Sequence, residues 1–480
     1  MDELVERAVG AGTGAGASHV EARIVTSTNE SYEVRNGAPV AAIRSASEGL
    51  GVRAVVDGAW GFAAVQDLSP DGAERAAARA VEIGRASATA RKAPVELADA
   101  PKVEGSYVTP HETDPVAVPV ERKIDLLTRA ERALQGQPDV AITQAFLSTL
   151  RKRTLFGNSA GSEYDQTILE CGGGIAATAV RDGESQVRSY PNSFRGNFGT
   201  AGFEYVEALG LEQEAPRVAE EAQALLSAPP CPAGGRDVVI DGGQLALQVH
   251  ESIGHPIELD RVFGTEAAYA GTSFLTPDKL GSFRYGSDRV NVVADATAPG
   301  GLGTFRWDDE GVPARRVPII DHGTFVGYIS DRESAAKLGT SSSGAARADG
   351  WGAIPLVRMT NINLLPGEWA LDDLLADSDG GLFLATNRSW SIDDRRVNFQ
   401  FGTEVAYEIE GGRLGRLYKN PSYTGITPEF WGSCDAVCGR AHWRLWGTPN
   451  CGKGEPGQSA HVGHGVAPAR FRNVQVGVVR

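Results

Sequence analysis

His250-Glu251-Ser252-Ile253-Gly254-His255 is the stretch on which the reading of this chain turns. It is a His-Glu-x-x-x-His pattern, one residue longer than the His-Glu-x-x-His helix motif that binds zinc. Histidine is scarce, 8 in 480 residues, and at that composition such a pattern should arise by chance only about 0.02 times. Two imidazoles can hold a metal ion, and a glutamate beside the first can take a proton from water on that metal. The extra residue has a geometric consequence. On a regular helix, positions four apart lie about 40° apart around the axis and positions five apart about 140°. His250 and His255 therefore cannot share a face of an ideal helix. Either a π-bulge absorbs one residue or the helix ends between them. Gly254 suits a helix terminus and Pro256 pushes His255 out of helical dihedrals, so an irregular end is expected. The competing reading is two buried histidines near a helix end that bind nothing.

Outward from the motif, composition sets the bounds. The chain is 41% hydrophobic and 22% charged, with a net charge of −15 and a pI near 5.1. That argues against a broad phosphate-binding surface and hence against nucleic acid, while leaving room for a local basic patch. No segment approaches the roughly 20 apolar residues of a membrane helix. The start, Met1-Asp2-Glu3-Leu4-Val5-Glu6-Arg7, lacks the basic and apolar regions of a signal peptide, so the expected compartment is the cytoplasm. Five cysteines without regular spacing describe no disulfide framework and should be reduced there. The 59 glycines suit a β-rich protein with many turns.

The expected fold class is α+β: an N-terminal mixed α/β region, then a β-rich C-terminal domain carrying the motif helix. Residues 2–10 read as a short helix, and Gly10–Gly16 as a flexible connector. Alternating strands follow, with a hairpin turn at Asn36-Gly37, and Ser69-Pro70 caps an alanine-rich helix. A helix over about Val120–Gln135 precedes strands at Val140–Thr149, Lys152–Asn158 and Tyr164–Val180. The best boundary is Pro229-Pro230-Cys231-Pro232-Ala233-Gly234-Gly235. It separates an N-terminal domain, 1–230, from a C-terminal one, 231–480. The first divides further into units at 1–90 and 105–228. The Ser/Ala/Gly-rich segment Gly339–Gly350 reads as a mobile loop.

A catalytic zinc usually takes three protein ligands and keeps one open position. Cys451 lies in Gly447-Thr448-Pro449-Asn450-Cys451-Gly452-Lys453-Gly454, where flanking Pro and Gly suggest a tight loop with the thiol at its apex. Here the chain resembles the TldD/PmbA family of metallopeptidases, in its TldD-type, metal-binding form. The resemblance rests on four matches in order: the two-histidine motif with Glu258 downstream; Phe399-Gln400-Phe401-Gly402 followed by Glu404-Val405-Ala406-Tyr407; Tyr418-Lys419-Asn420-Pro421; and the Cys451 stretch leading into Gly457-Gln458-Ser459.

The resemblance implies one zinc ion per chain held by His250, His255 and Cys451, with Glu251 as catalytic base. It implies hydrolysis of short or unfolded peptides, and a homodimer or a heterodimer with a metal-free sister subunit. Glu258 either orients His255 through its distal N–H or is a solvated carboxylate. Cys434 and Cys438 form a rival pair at helical spacing, read here as two unpaired core cysteines. His461 and His464 are read as loop residues at the site rim, and His111-Glu112 as plain loop. A β-rich site suggests an extended peptide added as a strand, at Phe399–Phe401 or after Asn420. Two other functions stay open: a regulatory or assembly binding protein with a structural zinc, since some relatives carry a name connected with DNA gyrase, and a hydrolase of another small amide.

Overall fold

The computed structural model describes residues 2–193 and 196–478. Its N-terminal sheet has eight strands. Six run in the order Ala59–Val65, Ala38–Val56, His19–Arg35, Val140–Asn158, Glu163–Arg181, Glu104–Val108, and Glu184–Tyr190 and Asn197–Gly199 also pair with Glu163–Arg181. Asn36 and Gly37 both have positive φ (47° and 80°) and close the first long hairpin, a turn that a right-handed strand twist favours. Val140–Asn158 is one continuous strand of 19 residues, where the sequence suggested two; its neighbours pair with it along the whole length. The first helix likewise runs on, Glu3–Gly14, because Val5, Ala8, Val9 and Gly12 all pack inward and outweigh the weak helix propensity of its glycines.

Helices cover one face of this sheet. Glu3–Gly14 and Pro70–Ala88 bury Val20, Ala22, Leu50 and Val52, while Val120–Ala133 and Leu211–Ser227 bury Tyr32, Val34, Leu147 and Ile175. Alternate residues face the other way, against the C-terminal half. There Arg53 bridges Glu21 (2.6 Å) and Glu310 (2.7 Å), all three buried, so the two halves share a desolvated ion cluster. Breaking one partner of such a cluster strands a buried charge.

Beyond residue 230 the strands Leu382–Ile392, Gly234–Ile240, Ala469–Val478, Pro421–Ile426 and Asn398–Glu410 follow one another, and the last pairs back onto the first. The ring therefore has no free edge at Phe399–Phe401, which is bonded on both sides; Pro421–Ile426 is also interior. Neither can accept a peptide as an added strand, which corrects that expectation. A four-stranded sheet (Thr324–Phe325, Arg316–Asp321, Val292–Asp295, Ile362–Leu364) and the hairpin Arg444–Lys453/Gln458–Val466 complete this half. The architecture is α+β with a β-rich C-terminal half.

Gly339–Gly350 is not a free loop. Ser342, Ala345 and Ala346 are buried, Ser343 and Ser330 bond each other, and Asp308 takes the Ala346 N–H. Small side chains there allow close packing rather than freedom.

One contact sets where the C-terminal hairpin lies. Asn197 of the N-terminal sheet accepts the Gly447 N–H (2.7 Å) and donates to the Leu445 carbonyl (3.0 Å). A Cβ on Gly447 would lie 2.2 Å from the Phe198 carbonyl oxygen. Gly447→Ala is thus expected to lower stability by about 1–3 kcal/mol through overpacking against backbone. Chemical denaturation checks this, and an unchanged midpoint would show that the hairpin does not depend on this close approach.

Candidate metal centre

Asp241 ends the strand Gly234–Ile240 and caps the motif helix, its carboxylate accepting the Gly243 N–H (3.2 Å). The helix is α-helical over Gly242–Val249, then widens into a π-turn over His250–Gly254, with the His255 N–H bonded to the His250 carbonyl, before a 3₁₀ turn at His255–Ile257. The extra residue is therefore absorbed by a π-turn rather than by an early helix end. Tyr285 donates its hydroxyl to the Ser252 carbonyl, and Trp431 its indole N–H to Ser252 Oγ (2.9 Å). These partners steady a stretch in which ordinary helical bonding is interrupted. Gly254 lets Met359 pack close, since a Cβ would fall 2.3 Å from Met359 Sδ and the methionine would have to shift.

The π-turn brings the two rings together, centroids 4.9 Å apart. Cys451 arrives from the distant hairpin with Sγ 3.9 Å from His255 Nε2, across 196 residues of sequence. One ligand atom each from His250, His255 and Cys451 lie within 4.8 Å of one another, and all three residues are buried. Tetrahedral zinc bonds of about 2.3 Å to sulfur and 2.0 Å to nitrogen would place such atoms roughly 3.5 Å apart, so the cluster is of the right size for one ion. Among the described residues it is the only such group of His, Cys, Asp and Glu.

Cys451 is not at an apex. It sits in the ladder opposite Ala460; Thr448 opposes Val462, and Pro449 and Asn450 bulge out between them. The bulge re-aims the strand and turns the thiol toward the histidines. Burial alone would raise the Cys451 pKa, but His250 and His255 hold it well below the usual thiol value. Burial, with Arg396 nearby, keeps His255 well below its ordinary range. Burial also acts against a charged His250, yet the Cys451 thiolate outweighs it and raises that group. A thiolate beside imidazoles is a donor set suited to zinc.

Each imidazole is held from behind. His255 Nδ1 lies 3.0 Å from Glu258 Oε2. Glu258 is fully buried beside Lys453 (3.4 Å), which itself pairs with Asp260 (2.7 Å). His250 Nδ1 lies 2.8 Å from Nε2 of His464. His464 is fully buried on the strand Gln458–Val466, not a rim residue, and burial keeps its pKa well below the usual value. Its role was hidden because only pairing with Arg444–Lys453 carries it under the motif helix. His461 does face outward and bonds Glu170 of the N-terminal sheet. Cys434 and Cys438 lie on and beside a strand, not a helix, and pack into separate cores; burial pushes their thiols up to about 12 and about 11.

Glu251 points into a cavity of about 430 Å³ that also receives His250, His255 and Cys451. One of its oxygens, Oε2, is bonded by the Arg396 guanidinium. Arg396 sits in a turn at φ 67°, ordered by Asp393, whose carboxylate accepts the N–H groups of Arg395 (2.9 Å), Val397 (3.1 Å) and Asn398 (2.7 Å).

Comparison with known proteins settles the family. Residues 234–478 match the family profile described as PmbA/TldA metallopeptidase C-terminal domain, and 20–84 and 113–227 match domain 1 and the central domain of the same family. The chain belongs to the PmbA/TldD metallopeptidases. It is 30% identical to a metalloprotease of Methanocaldococcus jannaschii over 87% of this chain and 88% of that one. It is 28% identical to a zinc metalloprotease TldD homolog of Saccharolobus solfataricus over 41% and 42%. Two solved structures share the fold: a candidate modulator of a DNA gyrase from Thermotoga maritima (TM-score 0.75, 18% identity, 99% of both chains) and TldE from Thermococcus kodakarensis (TM-score 0.72, 16% identity, 99% of this chain and 100% of that one). This PmbA/TldD chain is accordingly a metallopeptidase, an enzyme that acts on peptides.

Cys451→Ser is expected to lose most of whatever metal the cluster binds while the protein stays folded. Elemental analysis beside circular dichroism tests this; full metal retention would move the third ligand to His464 or to Cys434 and Cys438.

Proposed function

We propose that this chain is a zinc peptidase in which His250, His255 and Cys451 hold one ion and Glu251 is the general base, acting on short or unfolded peptides. The observation that carries the reading is the convergence of three buried ligand atoms and one carboxylate on a single cavity. The metal, when bound, supplies Lewis acidity, lowering the pKa of water and polarising a carbonyl. The chain's own groups do the rest. Arg396 fixes Glu251 through Oε2, leaving Oε1 to take a proton from water and return it to the departing amine. Glu258 and His464 hold the ligand rings by their distal nitrogens, so each Nε2 faces Cys451.

The cavity volume, about 430 Å³, suits a few residues of extended chain and excludes a folded surface. We place the domain division at 1–230 and 231–480, which the family matches ending at 227 and starting at 234 support. We further propose that the chain works as a dimer, with a second copy or with a metal-free sister subunit. That pairing would further enclose the site.

Glu251→Gln should keep metal and peptide binding and lose roughly 10²-fold or more in turnover, because an amide cannot accept the proton. Rates on an unstructured peptide, with zinc content measured on the same samples, decide this. Near-normal turnover would sink the assignment of the base.

A further inference from the structure

A polar cavity of about 160 Å³ lies where the two halves of the chain meet, between the N-terminal sheet and the compact segment that ends at Gly350. Two cations line it. Lys152 stands on the strand Val140–Asn158, and Arg347 on the short strand Ala346–Arg347, which pairs with Leu356–Val357. Among the described residues neither makes an ion pair. Lys152 Nζ donates to the Ala348 carbonyl (3.0 Å). Arg347 Nη1 donates to the carbonyls of Met359 (2.9 Å) and His461 (2.7 Å), and the guanidinium carbon lies 5.5 Å from the centre of the Phe305 ring. These contacts hold the guanidinium plane and occupy one of its nitrogens. Nε and Nη2 have no partner among the described residues, and both side chains are only part-buried. That free pair is the edge on which an arginine grips a carboxylate with two parallel bonds.

The acids around the cavity are already engaged. Glu170 bonds His461. Asp309 faces Arg23 (3.3 Å) and accepts the Ala348 N–H (2.7 Å). Asp349 accepts the Ser459 N–H (3.0 Å). Asp308 accepts the N–H groups of Glu310, Val312 and Ala346, and burial holds its carboxyl well above the usual range. The two cations are left with neutral oxygens alone. Burial pulls the Lys152 ammonium below its ordinary value, and Arg23 and Arg347 add to this against the pull of Asp309. Burial lowers Arg347 as well. Water can satisfy their N–H groups, but it cannot offset two like charges in a partly desolvated pocket, whereas an anion can.

The cavity is joined to the metal centre. A second cavity, of about 510 Å³, shares Glu170 and His461 with it and shares Pro449 and Asn450 with the metal cavity. The hairpin links the two ends as well, since Ala460, in the wall of the cation cavity, is the cross-strand partner of Cys451. We propose that the cation cavity is a carboxylate subsite of the peptide cleft, in which Arg347 takes both oxygens through Nε and Nη2 and Lys152 contacts one of them through Nζ. The carboxylate is either the free C-terminus of the substrate or an Asp or Glu side chain a fixed number of residues from the bond that is cut. The proposal rests on the peptidase reading above. Anchoring a peptide at one point selects which of its bonds is presented to Glu251.

The test uses zinc-loaded full-length protein carrying Glu251→Gln as the parent, so that binding is read without turnover. Calorimetry measures an uncharged, unstructured decapeptide blocked at both ends. It then measures a series with one Asp at each position in turn, and a length series with a free C-terminal carboxylate. One Asp position, or one length of the free-acid series, should bind roughly 10-fold tighter than the uncharged peptide, the size of one hydrogen bond to a charged group. The series that responds identifies the source of the carboxylate. Asn in place of that Asp should give no gain. Adding Arg347→Gln or Lys152→Gln should remove most of the gain. The Lys152 variant keeps the proposal testable if Arg347→Gln, which also loses two carbonyl bonds, folds poorly. No difference in binding across either series, or a gain that survives either substitution in folded protein, would overturn the subsite, and cleavage of peptides by the wild-type chain would then leave the peptidase reading intact. Failure of the wild-type chain to cleave any peptide would instead overturn the peptidase reading, and the same binding series would still decide whether the pocket takes a carboxylate.

Discussion

Two imidazoles set five residues apart must point at one place, and a regular helix cannot do that. The rest of the site follows from how this constraint is met. The π-turn His250–Gly254 swings His255 back beside His250. A π-turn is rarely stable by itself, because its hydrogen bonds and packing are poorer than those of the α form. Here its neighbours over-determine it: Tyr285 and Trp431 grip Ser252, and Met359 fills the space that a side chain at 254 would take. The aromatic cluster of Phe399, Tyr423, Phe430, Trp431 and Phe471 is therefore part of the metal centre in a mechanical sense, although none of these rings reaches the ligand atoms.

The two histidines are supported unequally. Behind His255 stands a carboxylate, Glu258, itself steadied by Lys453. Behind His250 stands a second imidazole, His464, kept neutral by burial. A carboxylate makes its partner imidazole a stronger donor than a neutral ring does. With the proposed ligands, one Cys451 thiolate and two imidazoles, a divalent ion would leave the centre net positive, which would favour ionisation of water there.

Much of this was legible in the sequence where the signal was local. The hairpin at Asn36-Gly37, the cap at Ser69 and the alternation of the long strands each depend on a few neighbouring residues. The motif histidines, Glu251 and Cys451 were visible through residue type and through resemblance to the family. What could not be read depends on distant partners. Nothing near His464 tells that strand pairing carries it under His250, and nothing near Phe399 tells that the sheet closes on itself. Gly339–Gly350 misled because small residues serve dense packing as readily as mobility. The same glycine and proline content suggested an apex at Cys451, where the structure has a bulge within a paired strand.

The spacing of the ligands has a temporal side. The histidines are made long before the cysteine, 196 residues later, and the strand that carries Cys451 takes its position from Asn197 in the N-terminal sheet. A growing polypeptide on the ribosome thus exposes a two-histidine helix that cannot yet form the full three-ligand cluster. Only when both halves of the fold are complete and docked does the thiolate arrive.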